Sequence, residues 1–427
     1  MRAIKYNPPF LRASAAAALL FGFVVVSPAQ RSATLRLDST NGSRIQITWR
    51  SGSIVPSPGL QIFPGYQVHR SADLQSWTPI GERFAGGIGG TNKAFSFVDG
   101  DTGQELGFYR LESIVELPNA DLIGENLAQG DFSGGDLFGA DLFDANLHDA
   151  NLRNTDLSGA DLRFAVVTNA DLSGANLFAA KMLGADLSFA DLDSATLFAA
   201  GLRQADLRFT VLSGADLRFA SLHAARLDEH TLIDSKWRTI WEIVSQGAAG
   251  RNLQRADLSL ADISEADLNR ADLRFADLTA AVAIQSDFSG ANLAGAILRF
   301  IDLRGAKFDT NTVVDAKTRL IWEIVNDGAV GRDLHGKDLS SAVLAESKLS
   351  SANLTNVNFT QTFLNFADLS GADLTAAVLF NADLTSANLS GANLTRANLR
   401  GADITDTDFS GAIFSNTIMP DGSTRSN

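Results

Sequence analysis

The chain contains no cysteine. Disulfides, thiolate metal sites, cysteine nucleophiles and a lipid-modified N-terminal cysteine are therefore excluded, and stability has to come from packing and backbone hydrogen bonding. Histidine is scarce as well: His69, His148, His223, His230 and His335 are the full set. None is spaced from another as metal ligands or a catalytic pair would be, and no metalloprotease helix, P-loop or nucleophile elbow occurs. Each reads as a surface or corner residue. Positive charge is in deficit, with 35 Lys and Arg against 49 Asp and Glu, a formal net charge of -14. That balance disfavours phosphate backbones and anionic membranes, so neither nucleic acid nor stable membrane insertion is expected.

Long hydrophobic runs are nearly missing too. The one apolar stretch, from Ala13 to Val26, is shorter than the ~20 residues a bilayer span requires. Arg2, Lys5 and Arg12 precede it, and Ser27-Pro28-Ala29 places small residues where a signal peptidase reads. Residues 1–29 therefore read as a secretory signal cleaved between Ala29 and Gln30, and the chain as secreted, periplasmic or extracellular. An uncleaved N-terminal anchor is the alternative. Removal of three positive charges and no negative ones would leave the mature chain at -17.

What is present begins with short alternating segments. Thr34 to Asp38, Arg44 to Trp49, Tyr66 to Arg70, Ala94 to Val98 and Phe108 to Leu111 have strand patterns, separated by Gly, Pro and Ser clusters and by the turn signal Asn41-Gly42. Residues 31–115 are thus expected to form a small β-sandwich-like domain. Trp49, Tyr66, the run Arg70 to Leu74 and Trp77 give it a loose resemblance to fibronectin type III modules.

From Asn119 onward a period of five takes over. With the central apolar position numbered zero, Leu122, Leu127, Phe132, Leu137, Leu142 and their successors fill it. Ala dominates minus two and Asp or Asn minus one. Three blocks hold 23, 13 and 17 repeats, from Leu122 to Leu232, Leu253 to Val313 and Leu334 to Phe414. Five matches neither the helical period of 3.6 nor the strand period of two. A chain that turns a corner every five residues satisfies it. Four sides then close a twenty-residue coil, with Leu pointing inward, Ala small because the cross-section is already full, and successive coils joined at the ~4.8 Å ladder spacing. About thirteen coils would make a rod on the order of 60 Å long.

These residues resemble the pentapeptide-repeat family over roughly 119–416. The resemblance implies an all-β fold, a right-handed quadrilateral β-helix, here following the β-sandwich-like domain and ending in a tail at 417–427. Two inserts interrupt it, at about 233–250 and 314–331, with similar sequences 81 residues apart. Asp234 and Asp315 are expected N-caps, Gly247 and Gly328 expected C-terminal glycines. Trp237, Ile240, Trp241 and Val244 fall on one face of a short helix.

The Asp column at minus one could bind calcium or act as paired acid and base, as in β-helical polysaccharide lyases. Asn replaces Asp freely there, at Asn126, Asn146, Asn151 and Asn176, which an acid/base pair would not allow. The column reads instead as turn-forming and solubilising. Some family members are thought to mimic DNA and occupy a type II topoisomerase. That reading requires a cytoplasmic chain, against the signal segment. The remaining candidate is aromatic. Phe138, Phe178 and Phe198 at plus one, and Phe189 and Phe209 at plus two, recur at multiples of twenty and should align outward. Either they contact a protein or cell-surface partner, or the β-domain, an insert helix or a second subunit of a homodimer covers them. No catalytic, metal or cofactor residue is assigned. The expectation is a non-enzymatic extracytoplasmic scaffold.

Overall fold

The computed structural model describes residues 117–427 throughout and, before them, only the backbone of short strands. Thr34–Thr40, Arg44–Arg50 and Ala94–Asp99 form one antiparallel sheet. Gly65–Ser71 pairs antiparallel with both Thr78–Phe84 and Phe108–Ile114. The sandwich-like and fibronectin-like expectation otherwise falls outside the described residues. So does the signal segment 1–29, apart from Val24–Val26, a strand parallel to Tyr109–Leu111. The chain divides into two compact units, one holding residues up to Leu217 with Ala225–Asp234, the other Arg218–Ala224 with Ser235–Asn427.

In both units the five-residue side is the building block. At most sides position zero and the Ala at minus two are sealed from solvent: Leu142, Leu147, Ala140 and Ala145 have no exposed surface. Each side ends in a four-residue turn. The carbonyl of Leu137 accepts the N–H of Ala140 at 3.0 Å, and the intervening plus-two residue, Gly139, has φ of 62°. A positive φ at that place is what a type II turn demands, so Gly and Asn are natural occupants. Asp121 bridges Asp141, and Asp141 bridges Asp161, in parallel register. Twenty residues in four sides therefore make one coil, as the period of five implies.

Small polar residues at minus two follow a rule of their own. Thr155, Thr210 and Thr362 each donate their hydroxyl to the carbonyl 23 residues back, on Phe132, Leu187 and Leu339, at 2.8 Å. Where position zero is enlarged to Phe132, minus two shrinks to Gly130, whose missing Cβ would run into the ring.

Three expectations about register need correction. The repeat opens at Leu117, which is buried and donates its N–H to the Asp136 carbonyl at 2.7 Å. Leu232 and Val313 do not point inward. An extra residue enters each of these sides, so both occupy minus one, bridging Val211 and Asn292, and are 54% and 49% exposed. An aspartate organises each enlarged loop. Asp228 Oδ1 accepts the N–H groups of His230, Thr231 and Phe209, and Asp309 Oδ1 accepts those of Asn311 and Gly290. The tail, finally, does not leave the ladder at residue 417. Ile418 still bridges Asn398, and only then does Thr424–Arg425 fold back on Thr417–Ile418. Asn427 then donates its N–H to the Phe414 carbonyl, and the Arg425 guanidinium lies 3.7 Å from the centre of the Phe414 ring.

The two inserts are helices of the second unit, α1 at Ser235–Gln246 and α2 at Ala316–Asp327. The Asp315 carboxylate accepts the N–H of Thr318, capping α2. Gly328, at φ 77°, ends that helix by donating its N–H to Ile324. The buried face of α1 is Trp237, Ile240 and Ile243, and α2 buries Thr318, Ile321 and Ile324. Trp241 and Val244 are only half-buried, so the expected face is rotated. Each helix takes the place of two coil sides. The ladder bonds there reach 41 residues, from the N–H of Phe219 to Leu260 and of Phe300 to Ser341. Equivalent bonds repeat at both inserts: Lys236 to Asp257 and Lys317 to Asp338, Arg251 to Glu242 and Arg332 to Glu323. The 81-residue duplication is thus a structural one.

Candidate interaction surface

The Asp column is occupied by its own turns. Asp136 Oδ1 accepts the N–H of Phe138 at 2.9 Å, and Asp156 accepts both the N–H and the hydroxyl of Ser158, at 3.0 and 2.6 Å. These are Asx turns, which tie the carboxylate to the backbone two residues on. Where Arg stands at plus one it grips the same carboxylate with two nitrogens. Arg163 does so on Asp161, Arg208 on Asp206 and Arg274 on Asp272, each closing to 2.6 Å. The guanidinium hydrogen bond holds each of these aspartates below the ordinary carboxylate range. Asn at minus one separates stacked carboxylates: Asn353 Nδ2 donates to Asp333 at 2.8 Å and Asn393 to Asp373 at 3.2 Å. Among the described residues no group of three or more His, Asp, Glu or Cys could hold a metal ion.

The histidines are not all peripheral. His223 is buried, with Nδ1 3.0 Å from Ser221 Oγ and Nε2 against the Ser264 carbonyl, so it stitches the ladder where α1 interrupts it. A hollow of about 460 Å³ lies between Phe308 and α2, with Trp322 and Arg319 in its wall. Its polar groups already serve the backbone. Arg319 donates to the Thr312 carbonyl at 2.7 Å and Trp322 Nε1 to that of Ala306 at 2.7 Å. Among the described residues no helix is long and apolar enough to cross a membrane.

The aromatic columns do form, but as two surfaces. Phe138 and Phe178 are about half exposed, and Phe178 stacks on Phe198 with centroids 5.6 Å apart and planes at 13°. Phe189 stacks on Phe209 at 4.6 Å and 6°. The first set stands at plus one of the sides centred on Leu137, Leu177 and Leu197. The second stands at plus two of the sides centred on Leu187 and Leu207, two sides further round a four-sided coil. The five phenylalanines expected to share a surface are therefore divided between opposite sides. The second column is also longer than the sequence suggested. The extra residue near Asp228 brings His230 onto Phe209, 4.8 Å away and 14° from parallel. Counting in fives puts Glu229 there.

Seven phenylalanines, at 164, 189, 209, 219, 275, 300 and 366, sit at plus two with φ between 58° and 63°. The left-handed region disfavours a residue bearing Cβ by roughly 1–2 kcal/mol, and Gly or Asn would relieve it. In two cases the ring finds a partner that sequence alone could have flagged. Phe164 lies over Gly184 and Phe275 over Gly295, each leaving no room for a Cβ on the glycine twenty residues on. The second unit carries exposed rings as well, Phe363 and Phe366 among them, with Phe300 edge-on to Phe363 at 5.8 Å.

The model of the pentapeptide repeats matches the chain in eight copies, over residues 140–182, 170–198, 200–236, 249–279, 271–309, 338–375 and 377–416. No match was found among curated protein sequences. Solved structures similar to it include HetL of Nostoc sp. strain PCC 7120, a pentapeptide repeat protein involved in heterocyst differentiation regulation. HetL is 25% identical, over 71% of this chain and 92% of its own, with a TM-score of 0.15. A second Nostoc pentapeptide repeat protein is 46% identical over 22% of this chain and 73% of its own, with a TM-score of 0.16. One from the Arabidopsis thaliana thylakoid lumen is 37% identical over 23% and 71%, at 0.15.

Proposed function

Because the chain belongs to the pentapeptide repeat family, whose fold is the right-handed quadrilateral β-helix, we propose that it is a non-enzymatic scaffold that binds a protein or cell-surface partner outside the cytoplasm. The observation that carries the reading is the pair of exposed, stacked aromatic columns on a rigid ladder. Each outward position could have been polar at no loss to the core, yet rings stand at coil spacing. Exposed apolar strips of this kind mark contact surfaces. Carboxylates of the minus-one column, by contrast, are engaged in turns and ion pairs, as Asp136 and Asp161 are. The extracytoplasmic part of the reading rests on the N-terminal sequence.

Two experiments test it. Immobilised wild-type chain, Phe138→Ser/Phe178→Ser/Phe198→Ser chain and Phe189→Asn/Phe209→Asn chain are incubated with envelope extract of the native cell. A partner retained by wild type and lost by at least one of the two variants is expected, and identical profiles from all three would contradict the reading. N-terminal sequencing of the native protein is expected to begin near Gln30. An intact Met1 chain in the cytoplasm would remove the extracytoplasmic assignment and make topoisomerase inhibition the next assay.

A further inference from the structure

The corner of the first unit that carries Phe189, Phe209 and His230 supports a more specific statement about the partner, one that rests on the scaffold reading above. The three rings rise one per coil, 4.6 and 4.8 Å apart. Two residues further along each of the upper coils, Val211 and Leu232 bridge one another, and Leu232 is more than half exposed. Rings and aliphatics together make an apolar strip three coils long, roughly 10 Å at ladder spacing.

The frame of this strip is net negative. The flanking segments 186–193, 206–213 and 226–232 hold the carboxylates of Asp186, Asp191, Asp193, Asp206, Asp228 and Glu229. Their cations are Arg208 and Arg226, and both close on Asp206, at 2.6 and 3.1 Å. Asp191 is bonded to the N–H of Asp193 and Asp193 to the Ser194 hydroxyl, and the Glu229 side chain, 87% exposed, lies 3.5 Å from His230 Nε2. A neutral or acidic partner covering the rings would desolvate Asp191, Asp193 and Glu229 without supplying a cation to them, which is strongly unfavourable. A cationic rim on the partner would pair them.

We propose that this strip docks a basic amphipathic helix, its apolar stripe on the rings and Leu232, its flanking lysines or arginines on Asp191, Asp193 and Glu229. The dimensions agree. Apolar residues at i, i+3 or i+4, and i+7 of a helix span roughly 10 Å at 1.5 Å per residue, the length of the three-ring strip.

The probe is a fluorescein-labelled eighteen-residue peptide with leucines on one helical face and lysines on the other, titrated into the full chain by fluorescence anisotropy. Saturable binding that weakens with added salt is expected. Phe189→Asn/Phe209→Asn should weaken it at least tenfold. Asp191→Asn/Asp193→Asn should weaken it several-fold and flatten the salt dependence. Phe366→Asn, an exposed ring at plus two of the second unit, should leave it unchanged, and a peptide with glutamate for lysine should not bind. Absence of binding by the lysine peptide, indifference to the Phe189/Phe209 change, or equal loss with Phe366→Asn would each overturn the proposal. So would ring-dependent binding of the glutamate peptide or of a neutral glucan hexasaccharide in place of the lysine peptide. That last result, or ring-dependent capture from extract with no lysine-peptide binding, would fail this proposal while leaving the scaffold reading standing. Failure of both assays would remove the scaffold reading too.

Discussion

Replacing Phe189 and Phe209 together by Asn separates a ring that holds the fold from a ring that serves a surface. Both residues sit at φ near 60°, 63° and 60° respectively. Asn tolerates that region, so relief of roughly 1–2 kcal/mol per site favours the variant. Against it stand two lost ring stacks, Phe189 on Phe209 and Phe209 on His230, at about 0.5–1.5 kcal/mol each. The half-exposed rings also lose contact area, about 1 kcal/mol each when a fully buried Phe contributes 1.5–3. The two sides nearly cancel, and the net change is about 1 kcal/mol or less in either direction. The assay is thermal unfolding followed by circular dichroism, with Leu187→Ala as a core reference. That leucine is 1% exposed, and its truncation should destabilise by about 2–5 kcal/mol. The double Asn variant is expected to melt within about 4 °C of wild type, the shift that ~1 kcal/mol produces in a domain of this size. A fall comparable to that of Leu187→Ala would refute the reasoning, because the rings would then be structural.

Three further outcomes are expected. Gly130→Ala places a Cβ against the Phe132 ring and should destabilise by about 1–3 kcal/mol through overpacking, whereas Gly130→Ala with Phe132→Leu should recover most of it in urea unfolding. The Ser347 hydroxyl is buried with no hydrogen-bond partner among the described residues, because Ile324, 23 residues back, lies in α2 instead of a coil side. Ser347→Ala should therefore stabilise the chain by about 1 kcal/mol, while Thr362→Ala, which removes a bond to the Leu339 carbonyl, should destabilise it by a similar amount. Acid should weaken the fold through the aspartates. The Gly290 N–H, with Thr312 and Asn311, lowers Asp309 to about 2, and the Arg163 hydrogen bond lowers Asp161. A carboxylate depressed on folding stabilises fully above its unfolded value, 3.8 here, and that stabilisation is lost as pH falls through the folded one. The urea midpoint should be flat from pH 7 to about 5 and fall between about 4 and 2. In Asp309→Asn the fall should be smaller.

Most of the coil was legible because its signal is redundant. Leu at zero, Ala at minus two and Asp at minus one recur together, and each answers a separate demand: core filling, cross-section and turn. The inserts were legible as helices from Asp315, Gly328 and the apolar spacing. What was not legible turns on single residues. The extra residue after Asp228 leaves composition and local pattern unchanged but moves Leu232 outward and His230 onto Phe209. The same shift after Asp309 exposes Val313. The two aromatic columns stand on sides centred on Leu177 and Leu187, two sides apart on a four-sided coil, which puts Phe178 and Phe189 on opposite sides. His223 was misread as peripheral because its partner, the Ser264 carbonyl, is 41 residues away across α1.

The scaffold claim is tested most directly by site-specific photocrosslinking in the native cell. Benzoylphenylalanine is placed singly at 178, at 189, and at the outward polar positions Thr375 and Ser390 of the second unit. Discrete crosslinked species at 178 or 189, absent from both controls, are what the account predicts. No crosslink at either ring position, or the same products at all four, would contradict it.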